Sequence, residues 1–493
     1  MTANSHFINN EWVHGTGTPF SSYNPATGEI VWQGVGATSE EVHAAVEAAK
    51  AAFAEWSKTS QEQRIDFLQK YAEVLKSSAD SIAEAISKEV GKPLWESKTE
   101  VNAMINKVGV SIEAYQKRSG ETKREYGGGI SITRHRPHGV IAIYGPFNFP
   151  GHIPNGQIVP ALLAGNTIVV KPSELTPLST EITIRCLEKA GLPKGVVNLV
   201  QGGRDTGRTL AAETGIDGLF FTGSWETGRI LSEQFAKTPD KILALELGGN
   251  NPLIVNDPSD INTAALLTVQ SAYITAGQRC TCARRLIVPK GDTGDAFIKA
   301  LTDLVKQIKV GPFNTPPEPF MGPVISRHAA SHLLAAQNML KSKGGKPLVE
   351  MHLLQVDTAL LSPGLIDVTL VKNRPDEEIF GPLLQVIRVD NFDAAIEEAN
   401  NTNYGLTAGF FGKSKEEYEK FYQKIQAGVV TWNTPTTGAT GAAAPFGGVK
   451  RSGNNRPSGY YTTDYCAYPV ASVEVEEMKP PASLPPGIAL GNE

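Results

Sequence analysis

The stretch Gly218-Leu219-Phe220-Phe221-Thr222-Gly223-Ser224-Trp225-Glu226-Thr227-Gly228-Arg229 decides the fold. An apolar, aromatic and β-branched run stops at a glycine-flanked turn, and ILSEQFAK continues after Arg229 with helical spacing. A strand that turns directly into a helix is a βα unit. Outward from it the same texture recurs: residues 140–144, 167–171, 196–200 and 253–255 are compact β-branched runs separated by helical stretches or glycine turns. That cadence predicts a parallel sheet covered on both faces, whose ligands sit beyond the carboxyl ends of the strands.

A second α/β section runs from about 247 to 434, with RRLIVP, LLQVIRV, AGFFG and GVVTW as its strand-like runs. Residues 7–36 alternate apolar and turn residues and read as short antiparallel strands. Two helices follow, opened by the capping boxes Thr38/Glu41 and Ser60/Gln63. Their apolar faces are Val42, Ala45, Ala49, Phe53, Trp56 and then Ile65, Leu68, Ala72, Leu75. Around 124–138, Tyr126-Gly127-Gly128-Gly129 followed by ISITRHRP reads as an exposed hairpin, matched by a strand pattern at 470–475. Strands outside the main lobes need a partner, so these suggest an oligomerisation flap. The final KPPASLPPGIALGNE is proline-rich and reads as a disordered tail.

Composition narrows the function classes. With 493 residues, the chain is long enough for about three domains at roughly 150 residues each. A formal net charge of −5 argues against a nucleic-acid binder, which needs a cationic face. No apolar run reaches the roughly 18 residues of a membrane span. MTANSHFINN lacks the basic and apolar regions of a secretory leader, so a cytoplasmic location is expected. The 4 cysteines, Cys186, Cys280, Cys282 and Cys466, include no C-x-x-C and suit no disulfide framework or metal site. His135 and His138 lie in a basic arm without acidic or thiol companions, so no metal is expected.

No complete G-x-G-x-x-G follows a strand and no P-loop motif occurs. The chemistry lies in other segments. Gly223 to Gly228 put free backbone N–H groups at a helix N-terminus, where a diphosphate can bind, although a plain tight turn reads as well. Lys171 and Glu174, just past a strand, can hold ribose hydroxyls or form a solvated pair. Glu246, between two leucines and before Gly248-Gly249, is expected to be desolvated and to serve as a base, unless it is a paired structural carboxylate. Cys280, in Gly277-Gln278-Arg279-Cys280-Thr281-Cys282, lies beside an arginine and is expected to ionise as a nucleophile, with Cys282 structural. Asn148, between Phe147 and Phe149, offers a fixed dipole for an oxyanion. The loop 434–442, rich in glycine and hydroxyls, can form an N–H nest for a carboxylate. Arg279, Thr281, Thr440 and Gly441 are the candidate substrate contacts, and Arg279, Lys107 and Arg118 are unranked candidates for a cationic partner.

The ordered segments GPFNFP, AGNTIVVKPSE, FTGSWETG, LELGGNNP, GQRCT, EEIFGP and PFGGVKRSG resemble the aldehyde dehydrogenase superfamily, to about residue 476. FNFPGHIPNGQIVPALLAGN, GQRCTCARR and PFGGVKRSGNNRPS are similar to the branch that oxidises N-succinylglutamate 5-semialdehyde in arginine breakdown. The resemblance implies an α/β fold with a parallel-sheet cofactor domain, an α/β catalytic domain and a β oligomerisation arm. It assigns 1–121 and 140–246 to an NAD-binding domain, 247–434 to the catalytic domain and 122–139 with 466–478 to the arm. Residues 435–465 become a return segment with the substrate-anchor loop, and 479–493 a disordered tail. Cys280 becomes the nucleophile, Glu246 the base, and Asn148 with the Cys280 N–H the oxyanion hole. Lys171 and Glu174 take the adenosine ribose of NAD, and Gly223, Ser224, Trp225, Glu226, Thr227 and Gly228 the diphosphate. Glu378 takes the nicotinamide ribose, with Phe380 bordering the ring. Trp225 is bulkier than the family often has there. Glu246 implies a hydrolytic, not CoA-acylating, enzyme acting on a small anionic semialdehyde as a homodimer or dimer of dimers. Alternatives are glutamate or succinate semialdehyde as substrate, a cofactor-independent thiol hydrolase, or a non-catalytic protein on the same fold.

Overall fold

A computed structural model describes residues 4–126, 129–438, 443–478 and 483–488. Gly127 and Gly128 of the predicted hairpin turn, and residues 479–482 and 489–493 of the predicted tail, lie outside the described residues.

Two seven-stranded sheets organise the chain. The first runs Ile242–Leu247, Gly218–Gly223, Val140–Tyr144, Thr167–Lys171, Val197–Leu199, His6–Ile8, Glu11–Val13. Its first five strands are parallel, and the N-terminal hairpin closes the edge antiparallel through Phe7 and Leu199. Every residue of Val140–Tyr144 and Thr167–Lys171 is buried, because helices pack on both sheet faces and leave no polar side for alternation. The second sheet runs Lys346–Val349, Gly364–Asp367, Leu383–Val389, Arg285–Pro289, Pro252–Val255, Thr407–Phe411, Val429–Trp432, with only the first strand antiparallel. The chain passes from the strand end at Leu247 to the strand start at Pro252 in a few residues. The carboxyl ends of the first sheet therefore face the amino ends of the second.

Both capping boxes form: Thr38 and Glu41 open Ser39–Trp56, and Ser60 and Gln63 open Gln61–Ser77, each worth about 1 kcal/mol. The buried face of the second helix is turned from the one expected, with Arg64, Phe67, Leu68, Tyr71 and Leu75 inside. Arg64 is drawn in because its guanidinium donates to the carbonyls of Leu163 and Thr59. The helix Ile261–Tyr273 ends four residues before Gly277. Two short strands, Lys346–Val349 and Gly364–Asp367, and the strand character of Ile242–Leu247 were not expected from sequence.

Thr122–Tyr126, Gly129–Pro137 and Ala467–Glu474 form a separate three-stranded antiparallel sheet. Tyr126, Ile130, Tyr468 and Val473 are exposed on it.

Candidate active site

In the first sheet the chain steps outward from Val140–Tyr144 to Thr167–Lys171 and Val197–Leu199, then returns to the other side of Val140–Tyr144 with Gly218–Gly223. That reversal opens a crevice beyond the carboxyl ends of Val140–Tyr144 and Gly218–Gly223. The segments flagged in the sequence leave the sheet here: 145–150 with Asn148, 171–174, 223–228, and Glu246 near the end of its strand.

Glu246 is the meeting point. The Cys280 thiol donates to its Oε1 at 3.5 Å, and the Thr222 hydroxyl donates to Oε2 at 3.4 Å. Burial pushes the Glu246 pKa up to about 7, with the two donors opposing the rise. Burial, reinforced by the charges of Glu246 and Glu378, pushes the Cys280 thiol well above its ordinary range. Asn148 is buried, and one of its amide hydrogens is held by the Gln278 carbonyl at 2.9 Å, which fixes the side chain against the loop that carries Cys280.

The expectation that the neighbouring arginine would ionise the thiol is corrected by the structure. Arg279 points elsewhere: its Nη2 donates to Glu96 at 2.8 Å, Nε to Thr275 at 2.7 Å and Nη1 to the Thr437 carbonyl at 3.3 Å. Glu96, fully buried on the helix Leu94–Arg118, captures it. The group placed to remove the thiol proton is Glu246.

The loop that presents Cys280 begins with strain. Thr275 (φ 56°), Ala276 (φ 53°) and Gly277 (φ 71°) are successively left-handed, at a cost of roughly 1–2 kcal/mol for each residue with a Cβ. Glu96 and Arg279 both bind the Thr275 hydroxyl and hold the turn. Two residues not singled out from sequence complete the brace. Arg284, fully buried, donates to the carbonyls of Gly277, Gly381 and Arg279. Asn251 donates from Nδ2 to the carbonyls of Cys280 at 2.6 Å and Cys282 at 2.9 Å. Their signal was their place inside GQRCTCARR and LELGGNNP. Cys282 is buried with its thiol on the Ile274 carbonyl, whereas the Cys280 thiol meets Glu246.

Around the crevice, Lys171 is buried and donates to the Pro172 carbonyl at 2.7 Å, with half-exposed Glu174 4.0 Å away. Burial lowers the Lys171 pKa and Glu174 opposes it. Ser224 caps Trp225–Phe235, accepting from Thr227 N–H. A Cβ on Gly228 would lie 2.6 Å from Leu247 Cδ2, so glycine lets the helix start sit close to the strand end. Glu226 and Thr227 face solvent, and the Trp225 ring carries the Arg451 guanidinium 5.3 Å from its centroid. Its bulk therefore packs against the return segment. Glu378 accepts from Gly249 N–H at 3.0 Å, near Arg284. Burial raises the Glu378 pKa to about 7, against the pull of Arg284 and the Gly249 N–H. Phe380 meets Phe147 edge-on at 5.9 Å. Helix-start N–H groups, an amine with a nearby carboxylate, and a second carboxylate beside aromatics are a donor set that fits a dinucleotide.

Thr281 is buried next to the thiol, whereas Thr440 and Gly441 lie outside the described residues. Of the cationic candidates, Arg118 is held by Asp464 through bonds of 2.7 and 2.5 Å, and Arg279 by Glu96.

Comparison with known proteins agrees with this geometry. A sequence profile described as the aldehyde dehydrogenase family matches residues 12–469. The chain is 55% identical over 486 residues to an N-succinylglutamate 5-semialdehyde dehydrogenase of Ectopseudomonas mendocina, covering 99% of this chain and 100% of that protein. It is 53% identical over 487 residues to one of Pseudomonas fluorescens, with 99% and 100% covered. Among solved structures it is similar to a methylmalonate-semialdehyde dehydrogenase from Oceanimonas doudoroffii, with TM-score 0.92, 29% identity, and 97% and 99% of the two chains covered. It is also similar to a betaine aldehyde dehydrogenase from Staphylococcus aureus in complex with NAD⁺, with TM-score 0.89, 27% identity, and 98% and 97% covered.

Proposed function

The chain belongs to the aldehyde dehydrogenase family, and from that premise we propose that it oxidises N-succinyl-L-glutamate 5-semialdehyde to N-succinyl-L-glutamate with NAD, as its full-length relatives are named for doing. The observation that carries the chemistry is the 3.5 Å contact between the Cys280 thiol and Glu246. A thiol pushed up by burial needs a base at hand, and Glu246, with its own pKa raised to about 7, is matched to accept and return a proton near neutrality.

Cys280 gives its proton to Glu246, and the thiolate attacks the aldehyde carbon to form a thiohemiacetal. The oxyanion lies against the second Asn148 amide hydrogen and the Cys280 N–H, dipoles fixed before the charge develops. Lys171, Glu174, residues 223–228, Glu378 and Phe380 would hold NAD⁺, which when bound would supply the acceptor for the hydride lost from the aldehyde carbon, leaving a Cys280 thioester. Glu246, once it has released the thiol proton to solvent, takes a proton from water as the water attacks the thioester carbon; the C–S bond breaks, the carboxylic acid leaves, and Glu246 returns that proton to the Cys280 thiolate. A buried base in contact with the sulfur supports hydrolysis rather than transfer to coenzyme A.

In this reading residues 1–121 with 140–246 bind the cofactor, 247–434 carry the thiol, and the loop in 435–465 meets the far end of the substrate. The three-stranded sheet of 122–139 and 466–478, with exposed Tyr468 and Val473, pairs with a second copy to form a homodimer or dimer of dimers. Among the described residues no helix is long and apolar enough to cross a membrane, and the four cysteines are free thiols, which suits the cytoplasm. The test is NADH formation with N-succinylglutamate, glutamate and succinate semialdehydes, the first having the highest kcat/KM. A clear preference for either of the others overturns the substrate assignment, and light scattering of the purified chain tests the oligomer.

A further inference from the structure

The helix Leu94–Arg118 turns an unusual stripe inward: Glu96, Glu100, Met104, Lys107 and Ser111, spaced by three and four residues, are all buried. Two of its charges are cancelled. Glu96 is paired with Arg279 at 2.8 Å, and Glu100 with Lys92 at 2.6 Å while also accepting from the Gly151 and His152 N–H groups. Lys107 is not. Among the described residues no carboxylate lies within salt-bridge distance of its Nζ, which donates to the Gly459 carbonyl at 2.6 Å. A buried ammonium with a single carbonyl partner is costly in the free protein and is relieved by an anion that brings its own charge.

The surroundings are shaped for such an anion. His152 opens the helix that starts four residues after Asn148, and its buried Nδ1 has no hydrogen-bond partner among the described residues. Gly156 lies one turn further along that helix, and a Cβ there would touch Lys107 Cε at 3.9 Å. Gly459 pairs with Pro445, at the far end of the anchor loop whose near end is tied to Arg279 through Thr437. Lys107 thus stands at one foot of the loop, and the residue beside the thiol stands at the other.

We propose that Lys107, with His152 beside it, is the specificity-determining site for a substrate carboxylate remote from the aldehyde carbon. This rests on the reading of the substrate as an anionic semialdehyde. The rival cations are already engaged, Arg279 with Glu96 and Arg118 with Asp464. Burial lowers the Lys107 pKa to about 8, so it is largely charged at pH 7. The titratable groups facing it are Cys466, whose thiol burial holds far above its usual range, and His152, which burial and the charges of Lys107, Lys92 and Arg279 hold neutral with a pKa of about 4.

The test compares the full-length wild type with Lys107→Met on three aldehydes: N-succinylglutamate semialdehyde, succinate semialdehyde, and butanal, which matches the second without its acid. The expected result is a rise in KM of about 10- to 100-fold for both acids, the range for losing a charged hydrogen bond, with butanal changed by no more than about threefold. Lys107→Arg restores part of the loss. In the wild type the KM for the acids climbs above pH 8, and in Lys107→Met that climb is gone. Should the methionine variant not fold, Lys107→Gln, which replaces the ammonium with a neutral polar amide, carries the same comparison. Equal changes for all three aldehydes, or an unchanged KM for the acids, overturns the proposal. If the wild type does not favour the N-succinyl substrate, the substrate assignment falls, while succinate semialdehyde against butanal still judges Lys107.

Discussion

Gly248 lies directly against Glu378: any Cβ at 248 would collide with the carboxylate that accepts from Gly249 N–H at 3.0 Å. The double glycine after Leu247 therefore lets a residue 130 positions further along the chain approach the backbone (378 − 248 = 130). Gly248→Ala must displace Glu378. If Glu378 holds the nicotinamide ribose, the KM for NAD⁺ rises by about tenfold, as expected when a charged hydrogen bond is lost, while the thiol still reacts with iodoacetamide, no more slowly than in the wild type. A KM for NAD⁺ that stays put removes Glu378 from the cofactor site.

Glu246→Gln keeps the shape of the side chain and removes its basicity. Loss of the base slows thiol deprotonation as well as deacylation; hydroxide can still ionise the thiol over a long incubation, while deacylation slows by about 10²- to 10⁴-fold. Mass spectrometry of the variant, mixed with aldehyde and NAD⁺, then finds an acyl adduct on the peptide containing Cys280. Acid released at the wild-type rate, with no adduct, would falsify the role given to Glu246.

The pH dependence follows from the raised pKa of the same residue. A carboxyl with a pKa of about 7 is mostly protonated at pH 6, so it can neither take the thiol proton nor activate water. Turnover at saturating NAD⁺ is expected to fall roughly tenfold from its plateau as pH drops to 6, because only the ionised fraction is active. Glu378 titrates in the same range, but its effect belongs in the KM for NAD⁺, so the two separate in a full kinetic profile. An acid limb displaced to near pH 4.5 means that Glu246 is solvated during turnover.

Asn148→Ala removes one of the two proposed oxyanion donors and is expected to lower turnover about 10²- to 10³-fold. The discriminating measurement is pre-steady-state NADH formation, because the dipole acts before the thioester forms. A variant that loses only steady-state turnover, with a normal first turnover, places Asn148 in deacylation instead.

What the sequence made legible were features encoded within a few residues. The β-branched runs at Val140–Tyr144 and Thr167–Lys171 read as strands buried on both faces, and the Thr38/Glu41 and Ser60/Gln63 boxes marked their helix starts. Ile242–Leu247 was harder because Glu246 interrupts its apolar run, and the charge that spoils the pattern is the one proposed as the base. Arg279 was misread because proximity along the chain suggested an interaction with Cys280, while Glu96 competes for it from 183 positions away. The inward stripe of Glu96, Glu100 and Lys107 was visible as helical spacing, but only packing against the helix His152–Ala164 shows which of those charges lacks a partner.

The Arg279–Glu96 pair offers a stability test that does not depend on any ligand. Glu96 is fully buried and Arg279 nearly so, and each is the other's counter-charge. Arg279→Met leaves a buried carboxylate, and Glu96→Gln leaves a buried guanidinium; each is expected to cost about 3–5 kcal/mol. The double variant Glu96→Gln/Arg279→Met carries neither orphan charge, so its loss should be smaller than the sum of the single losses by at least about 1 kcal/mol. Denaturant midpoints of the four proteins close the cycle. Strictly additive losses would mean that the pair does not hold the strained turn at Thr275 and Ala276, and that the reach of the thiol toward Glu246 is set by Arg284 and Asn251 alone.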